Sequence, residues 1–190
     1  MDFNFTEEQL MIQDVARRLA QEKIAPSAEH HDRTGEFPLD NIRTLGENGL
    51  MGIEVPAEYG GAGLGVTEAA IMMHEVASHG GGMAAASAVH INLFGLNPVA
   101  VFGSEEQRRR MLPPIARGEV KSCFGVTEPN AGTDTTRIST RARRDGDTYV
   151  INGRKVWTSK ALEADRILLL TQCDLIEFCS QNLHRSLFIL

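Results

Sequence analysis

The sequence of 190 residues is poor in cysteine and has no sign of a disulfide or zinc framework. Its three cysteines, Cys123, Cys173 and Cys179, are odd in number, and no Cys-x-x-Cys pair occurs. A disulfide-stabilised secreted domain and a structural zinc module are therefore not expected. A reducing compartment is the default, which predicts the cytoplasm, or the mitochondrial matrix in a eukaryote.

Positive charge is also scarce. The chain has 25 acidic and 19 basic residues, a formal net charge of −6, so nucleic-acid binding is not expected. The first residues have neither a basic region nor an apolar run, which argues against a secretory signal, and they are too acidic for a transit peptide. His30-His31-Asp32 has no spaced partner, so it indicates solvated surface and no metal site.

One long stretch lacks charge altogether. Residues 76–104 contain no Asp, Glu, Lys or Arg, which is long enough to suggest a membrane span. The triplet Gly80-Gly81-Gly82 breaks this stretch early, however, and His90, Asn92, Asn97 and Pro98 interrupt it later. We therefore predict a buried helical hairpin and no membrane span, with His90 as a hydrogen-bonded buried histidine.

The first two-thirds of the chain has the patterns of helices. Thr6 and Gln9 form a capping box ahead of apolar residues at helical spacing, and Pro26 is expected to end that helix. Further helices are predicted over 39–48, with Gly49 as the C-terminal cap, over 67–78 and within 83–102. A second capping box, Ser104 to Gln107, predicts a helix running towards Leu112.

After Gly118 the pattern changes to short alternating strands separated by turn residues. The predicted strands are 122–127, 137–144, 148–151, 154–158 and 167–170. Helices followed by strands predict an α+β protein. We expect an all-helical N-terminal domain over 1–119, followed over 120–190 by a truncated, antiparallel, β-barrel-like domain.

Two segments stand out within the strand region. The first is Phe-Gly-Val-Thr-Glu-Pro-Asn-Ala-Gly-Thr-Asp at 124–134, and the second is Asn-Gly-Arg-Lys-Val-Trp-Thr-Ser at 152–159. Taken alone, each has an ordinary structural explanation. Pro, Asn, Gly and Asp form turns, and a tryptophan in a strand is more often part of a core.

Together the two segments resemble the signature of the acyl-CoA dehydrogenase family, V-T-E-P-x-A-G-S/T-D followed two strands later by N-G-x-K-x-W-I-T/S. The helical region resembles the family too, at Phe-Thr-Glu-Glu-Gln (5–9), Pro-Ala-Glu-Tyr-Gly-Gly (56–61) and Gly-Ser-Glu-Glu-Gln (103–107). The resemblance covers about residues 3 to 170.

The resemblance implies an FAD site, and it assigns the first segment to one side of the flavin. By position, Phe124, Val126 and Thr127 border the isoalloxazine ring, with the Thr127 hydroxyl near its polar edge. Gly132 permits a close approach of the backbone because it has no Cβ. Thr133 is expected to contact the pyrophosphate side of FAD and the thioester end of the substrate.

The second segment is expected to lie against the flavin. Trp157 would stack beside the ring, and Thr158 and Ser159 would face it near N5. This sequence departs from the commonest family pattern in two places, since Thr158 replaces an apolar residue and Lys160 stands where Asn is common.

Glu128 allows two interpretations, a general acid–base or part of the loop scaffold. It lies between Thr127 and Pro129, and the proline restricts it to extended backbone. The resemblance favours the scaffold, so no catalytic residue is predicted within this chain.

The activity implied is FAD-dependent dehydrogenation of an acyl-CoA thioester to a 2-enoyl-CoA, with an electron-transferring flavoprotein as acceptor and homo-oligomeric full-length relatives. In the family the carboxylate base comes from a helical domain after the β-domain, so we expect these 190 residues alone to be inactive. Two alternatives stay open: a flavin oxidase or monooxygenase of the same fold, and a non-catalytic module that binds a partner subunit.

The end of the chain departs from the family. Residues 172–185 are unlike its usual loop and strand, whereas Ser186-Leu187-Phe188 is again of the expected type. A frameshifted or spliced segment would produce this pattern.

Overall fold

The computed structural model describes residues 4–95, 97–173 and 185–189. The chain divides into a helical unit, Met1–Lys121, and a unit built on a β-sheet, Ser122–Leu190. The predicted α+β class with helices first is confirmed. The helices of the first unit are α1 (Glu7–Leu19), α2 (Ala25–Thr34), α3 (Leu39–Glu47), α4 (Val66–Gly80), α5 (Gly82–Phe94), α6 (Asn97–Phe102) and α7 (Glu105–Ala116).

Both predicted capping boxes are present. Gln9 N–H donates to Thr6 Oγ1 over 3.2 Å and Thr6 N–H donates back to Gln9 Oε1 over 3.0 Å. Ser104 and Gln107 repeat this exchange at 3.2 and 2.8 Å. Each box satisfies two backbone donors that a helix start leaves without partners, which is why these starts are readable from local sequence.

The expected helix end at Pro26 is wrong. A π-helical turn, Ala20–Ile24, joins α1 to α2, and the Ala25 N–H bonds to the Ala20 carbonyl across it. Pro26 therefore lies in the first turn of α2, just after the π-helical turn, and the helix continues past it. The continuous helix ends instead at Gly35, whose φ of 71° closes it in the left-handed conformation.

The core of the first unit forms where the apolar faces of α1, α3, α4 and α5 meet. The stretch Gly82–Phe102 is long and apolar enough to cross a membrane by length and composition, yet about half of it is buried inside the protein. His90 is half-buried and its Nδ1 hydrogen-bonds the Ser87 carbonyl over 2.8 Å. Fully buried core side chains include Ile24, Ile42, Leu45, Met51, Met72, Val76 and Val89.

The second unit contains one described sheet of five strands. They are β1 (Ser122–Gly125), β2 (Arg141–Asp145), β3 (Thr148–Asn152), β4 (Arg166–Cys173) and β5 (Arg185–Ile189). Strand β4 runs parallel to β1 and β2 and antiparallel to β5, and β2 and β3 form an antiparallel hairpin.

The predicted antiparallel, barrel-like sheet is therefore wrong in two respects, since the sheet is open and its pairing is mixed. The cause lies in the connections. The Asp-Gly-Asp turn at 145–147 reverses the chain between β2 and β3. Long connections follow β1 and β3, and they allow β1, β2 and β4 to run in the same direction. Such connections leave no local signal of which strand pairs with which.

Several predicted strands also differ from the observed ones, since β1 ends at Gly125 and β4 runs from Arg166 to Cys173. Residues 154–158 form no strand, because they leave β3 and lie along the loop that follows β1. The strand predicted over 137–144 begins only at Arg141, because a 3₁₀ turn, Thr135–Arg137, precedes it. The atypical residues 174–184 lie outside the described part, whereas the predicted Ser-Leu-Phe strand is present as β5.

Candidate functional site

The structure brings the two predicted segments together within the second unit. The Val156 N–H donates to the Thr127 carbonyl over 2.9 Å. The neighbouring Lys155 Nζ donates to the Val126 carbonyl, also over 2.9 Å. These two bonds hold the segment after β3 against the loop after β1, so residues far apart in sequence form one surface.

A tight turn shapes the first loop. Glu128 N–H donates to the Ala131 carbonyl over 2.9 Å, and Ala131 N–H donates back to the Glu128 carbonyl over 3.1 Å. Pro129, which has no N–H, lies between them where no donor is required. Further along, Asp134 Oδ1 accepts the Thr136 N–H over 3.0 Å and closes a second turn. Main-chain and side-chain bonds thus fix the path of this loop.

Glu128 is the anchor of the loop. Its side chain is buried, and its Oε2 accepts from the Ser139 N–H and Oγ at 2.6 and 2.7 Å. Its Oε1 accepts from the Thr140 N–H at 2.8 Å, from the Thr140 hydroxyl, and from Lys155 Nζ at 2.9 Å. Burial opposes ionisation, but these hydrogen bonds outweigh it and lower the pKa of the Glu128 carboxyl well below its ordinary value.

A carboxylate held in this way is a poor base. Both carboxylate oxygens of Glu128 accept hydrogen bonds that favour the charged form. A proton taken from a substrate would have to displace one of these donors. The geometry supports the scaffold interpretation of Glu128 over the acid–base one.

Thr127 has two donors that are not used within the described part of the protein. Its carbonyl accepts from Val156, but neither its N–H nor its hydroxyl bonds to another residue in the described part of the chain. The residue is half-buried, as are Phe124 and Val126 beside it. A donor without a protein partner is available to an acceptor on a ligand.

Trp157 lies beside this donor pair with its indole in solvent. The side chain is 88% exposed, and the backbone has a φ of 59°. A bulky residue rarely adopts a left-handed conformation, and such strain concentrates at ligand-binding and catalytic positions. Of the next two residues, Thr158 is half-buried and Ser159 exposed, so their hydroxyls are not part of a core.

The remaining predicted residues, Gly132 and Thr133, are exposed on the first loop. A Cβ placed on Gly132 would meet no atom within 4 Å. The glycine therefore faces open space, and its backbone is accessible to a ligand rather than packed against the protein.

The combined chemistry suits a flat heterocycle with a polar edge. An exposed indole supplies a stacking face, Thr127 supplies two donors, and Gly132 leaves room for a close approach. No group of three or more His, Cys, Asp or Glu side chains suited to a metal occurs among the described residues. His30 and His31 instead bond Glu36, at 3.0 and 2.9 Å.

The sequence did not reveal three residues that build this site. Ser139 and Thr140 hold the Glu128 carboxylate, and Lys155 joins the two loops. The lysine of the N-G-x-K motif was the one available signal. For Ser139 and Thr140 no signal exists, because their role arises from a tertiary contact.

Known proteins share both units. The family model described as the acyl-CoA dehydrogenase N-terminal domain matches residues 6–119, and that of the acyl-CoA dehydrogenase middle domain matches residues 123–188. The probable acyl-CoA dehydrogenase YngJ of Bacillus subtilis is 42% identical over 169 residues, which are 89% of this chain and 44% of the relative.

Two further proteins extend the comparison. The short-chain specific acyl-CoA dehydrogenase of Clostridium acetobutylicum is 37% identical over 92% of this chain and 46% of its own length. The structure of butyryl-CoA dehydrogenase from Megasphaera elsdenii superposes with a TM-score of 0.86 at 29% identity, covering all of this chain and 50% of that one. This chain spans about half the length of the relatives it matches.

Proposed function

The chain belongs to the acyl-CoA dehydrogenase family, and we propose that its second unit binds FAD through the loop after β1 and the segment after β3. In this proposal Thr127 donates to the polar edge of the flavin, with Phe124 and Val126 beside it. Trp157 stacks on the ring, Thr158 and Ser159 face it, and the backbone at Gly132 and Thr133 approaches the cofactor.

One observation carries the proposal. Two segments without regular structure are locked together by Lys155 and Val156, yet the Thr127 N–H and hydroxyl are left without a partner in the described residues. Such rigidity would preorganise a cofactor site. The exposed, strained Trp157 supports the same interpretation.

The reaction proposed for the protein is the α,β-dehydrogenation of an acyl-CoA thioester. When bound, FAD would accept the hydride from the β-carbon while a carboxylate removes the α-proton, which leaves a 2-enoyl-CoA. The base is assigned to the helical domain that follows the middle domain in the family, because Glu128 is committed to the loop. Thr133 is the residue proposed to lie near the thioester.

The wider setting is also a proposal. An electron-transferring flavoprotein would reoxidise the cofactor, and the protein would act as a homo-oligomer. Family membership supports both proposals.

The test is a calorimetric titration of the purified 190-residue chain with FAD, followed by anaerobic addition of butyryl-CoA. We expect saturable binding at one FAD per chain and no loss of the flavin absorbance band with the acyl-CoA. Absence of FAD binding would contradict the proposed site. Bleaching of the bound flavin would show that a base lies within these residues and would contradict its assignment to a further domain.

A further inference from the structure

We infer that Lys155 is a positioning residue that sets the direction of the Thr127 N–H. The inference rests on the proposed function, since it concerns the donor that the proposal gives to the cofactor. Lys155 does not touch the cofactor in this account; it acts through the Val126–Thr127 peptide.

The geometry follows from the planarity of that peptide. The Val126 carbonyl and the Thr127 N–H belong to the same peptide unit, and no described peptide bond is cis. In a trans unit the two groups point in opposite directions. Lys155 Nζ holds the Val126 oxygen at 2.9 Å, so it also holds the Thr127 N–H towards the opposite side.

The next peptide is fixed as well. The Thr127 carbonyl accepts from Val156, and the N–H of Glu128 in the same unit donates to Ala131. Both peptide units that flank the Thr127 Cα are therefore held. Without the ammonium, the Val126 carbonyl loses the one partner that it has among the described residues, and the Val126–Thr127 peptide is free to turn.

The ammonium itself has a defined place. The Lys155 side chain is only 9% exposed and pairs with Glu128, which is 3% exposed and anchored by Ser139 and Thr140. A cation on the carbonyl oxygen also polarises the peptide, which makes the N–H at its other end a stronger donor. Lys155 therefore both orients and strengthens the donor at the proposed site.

A simpler role would be charge neutralisation, in which Lys155 serves only to balance the buried Glu128 carboxylate. The two roles make opposite predictions for a variant that removes both charges. In Glu128→Gln/Lys155→Met no buried carboxylate is left unpaired, so a purely neutralising lysine is no longer required. The Val126 carbonyl, however, still lacks its donor.

The experiment measures FAD affinity for the wild type, Lys155→Met, Glu128→Gln, Glu128→Gln/Lys155→Met and the control Arg154→Met, with folding checked by circular dichroism. Glu128→Gln is the reference for the double variant, because its amide NH₂ replaces an oxygen that accepts from Ser139 or Thr140. Arg154 is the neighbouring cation, its side chain is exposed, and the proposal assigns it no contact with FAD. In ¹⁵N-labelled protein, the Thr127 amide shift on FAD addition reports the donor directly.

We expect both Lys155 variants to bind FAD at least about tenfold more weakly, and the Thr127 shift change to be lost. Arg154→Met should match the wild type. If Lys155→Met does not fold, the FAD affinity of the double variant is compared instead.

Wild-type affinity and a wild-type Thr127 shift in the folded double variant would overturn the positioning role and leave the FAD site intact. Failure of the wild type itself to bind FAD would overturn the proposed function, and with it this inference.

Discussion

The Val156 N–H donates to the Thr127 carbonyl over 2.9 Å, which joins two loops that are separated by the whole β2–β3 hairpin. The bond places Trp157 directly after the point of attachment, and the N–H and hydroxyl of Thr127 have no partner among the described residues. The surface formed by these loops depends on the contacts between them. Substitutions of the residues that join the loops should therefore change stability, whereas substitutions of exposed residues should change FAD binding.

Trp157 is the only tryptophan of the chain, so intrinsic tryptophan fluorescence reports this residue alone. Its exposure predicts a solvent-like emission spectrum without FAD and strong quenching when FAD binds. Trp157→Ala should weaken FAD binding by about tenfold, since aromatic stacking contributes about 1–3 kcal/mol. The thermal unfolding midpoint should not change, because the indole buries little surface.

Trp157→Phe is the matched control, because it keeps a stacking face. Its affinity for FAD should lie close to that of the wild type. Equal affinity for the alanine and phenylalanine variants would show that the indole does not stack on the cofactor.

Gly132→Val tests the open position on the first loop. A side chain there meets no protein atom, so the apo-protein should unfold at the wild-type temperature. The same side chain would fill space assigned to FAD and should weaken binding by about tenfold or more, or about 1.4 kcal/mol. Unchanged affinity in a calorimetric titration would place the cofactor away from this backbone.

Glu128 should make the second unit sensitive to acid. The folded-state pKa of Glu128 lies below its unfolded value, so its contribution to stability is complete above the unfolded pKa and is lost as pH falls through the folded one. Hydrogen exchange of the β4 amides should therefore show protection falling below about pH 5. In Glu128→Gln the protection of the β4 amides should depend less on pH. An equally steep loss of protection in the variant would show that other groups cause the acid sensitivity.

Removal of the Glu128 side chain should also be costly at neutral pH. Glu128→Ala leaves the Lys155 ammonium buried without its carboxylate partner. The free energy of unfolding should therefore fall by about 3–5 kcal/mol. The exposed Asp147→Ala in the β2–β3 turn is the control and should change the unfolding free energy by less than about 0.5 kcal/mol.

The parts of the fold that could be predicted from sequence are those fixed by neighbouring residues. Thr6 and Ser104 start helices by bonding backbone groups three residues away, and Gly49 caps α3 in the left-handed conformation. The predicted helix end at Pro26 was wrong because the π-helical turn before it could not be read from the sequence. Periodicity located the other predicted helices, although α7 runs past Leu112 through Pro113 and Pro114 to Ala116.

The sheet and the site interior depended on long-range contacts. The parallel pairing of β4 with β1 and β2 is set by connections that carry no pairing signal. The segment 154–158 alternates like a strand, yet Lys155 and Val156 bond the first loop instead of β3. The family motif identified which residues matter, and only the structure showed how Glu128, Lys155 and Thr140 connect them.

Gly60 and Gly61, which follow the 3₁₀ turn Ala57–Tyr59, provide a test of the first unit. A Cβ on Gly61 would lie 2.0 Å from the Val55 carbonyl oxygen, so Gly61→Ala must displace backbone. Gly60 has open space around it and is required only for its φ of 85°. Gly60→Ala should cost about 1–2 kcal/mol, and Gly61→Ala more, in chemical denaturation. The reverse order would contradict the packing of this loop.

The measurement that tests the central claim most directly is a crystal structure of the 190-residue chain with FAD. We predict the flavin ring against the Trp157 indole, with its polar edge within hydrogen-bond distance of the Thr127 N–H and hydroxyl, and with Lys155 on the Val126 carbonyl. A flavin bound elsewhere, or bound here with Thr127 pointing away from it, would contradict the account.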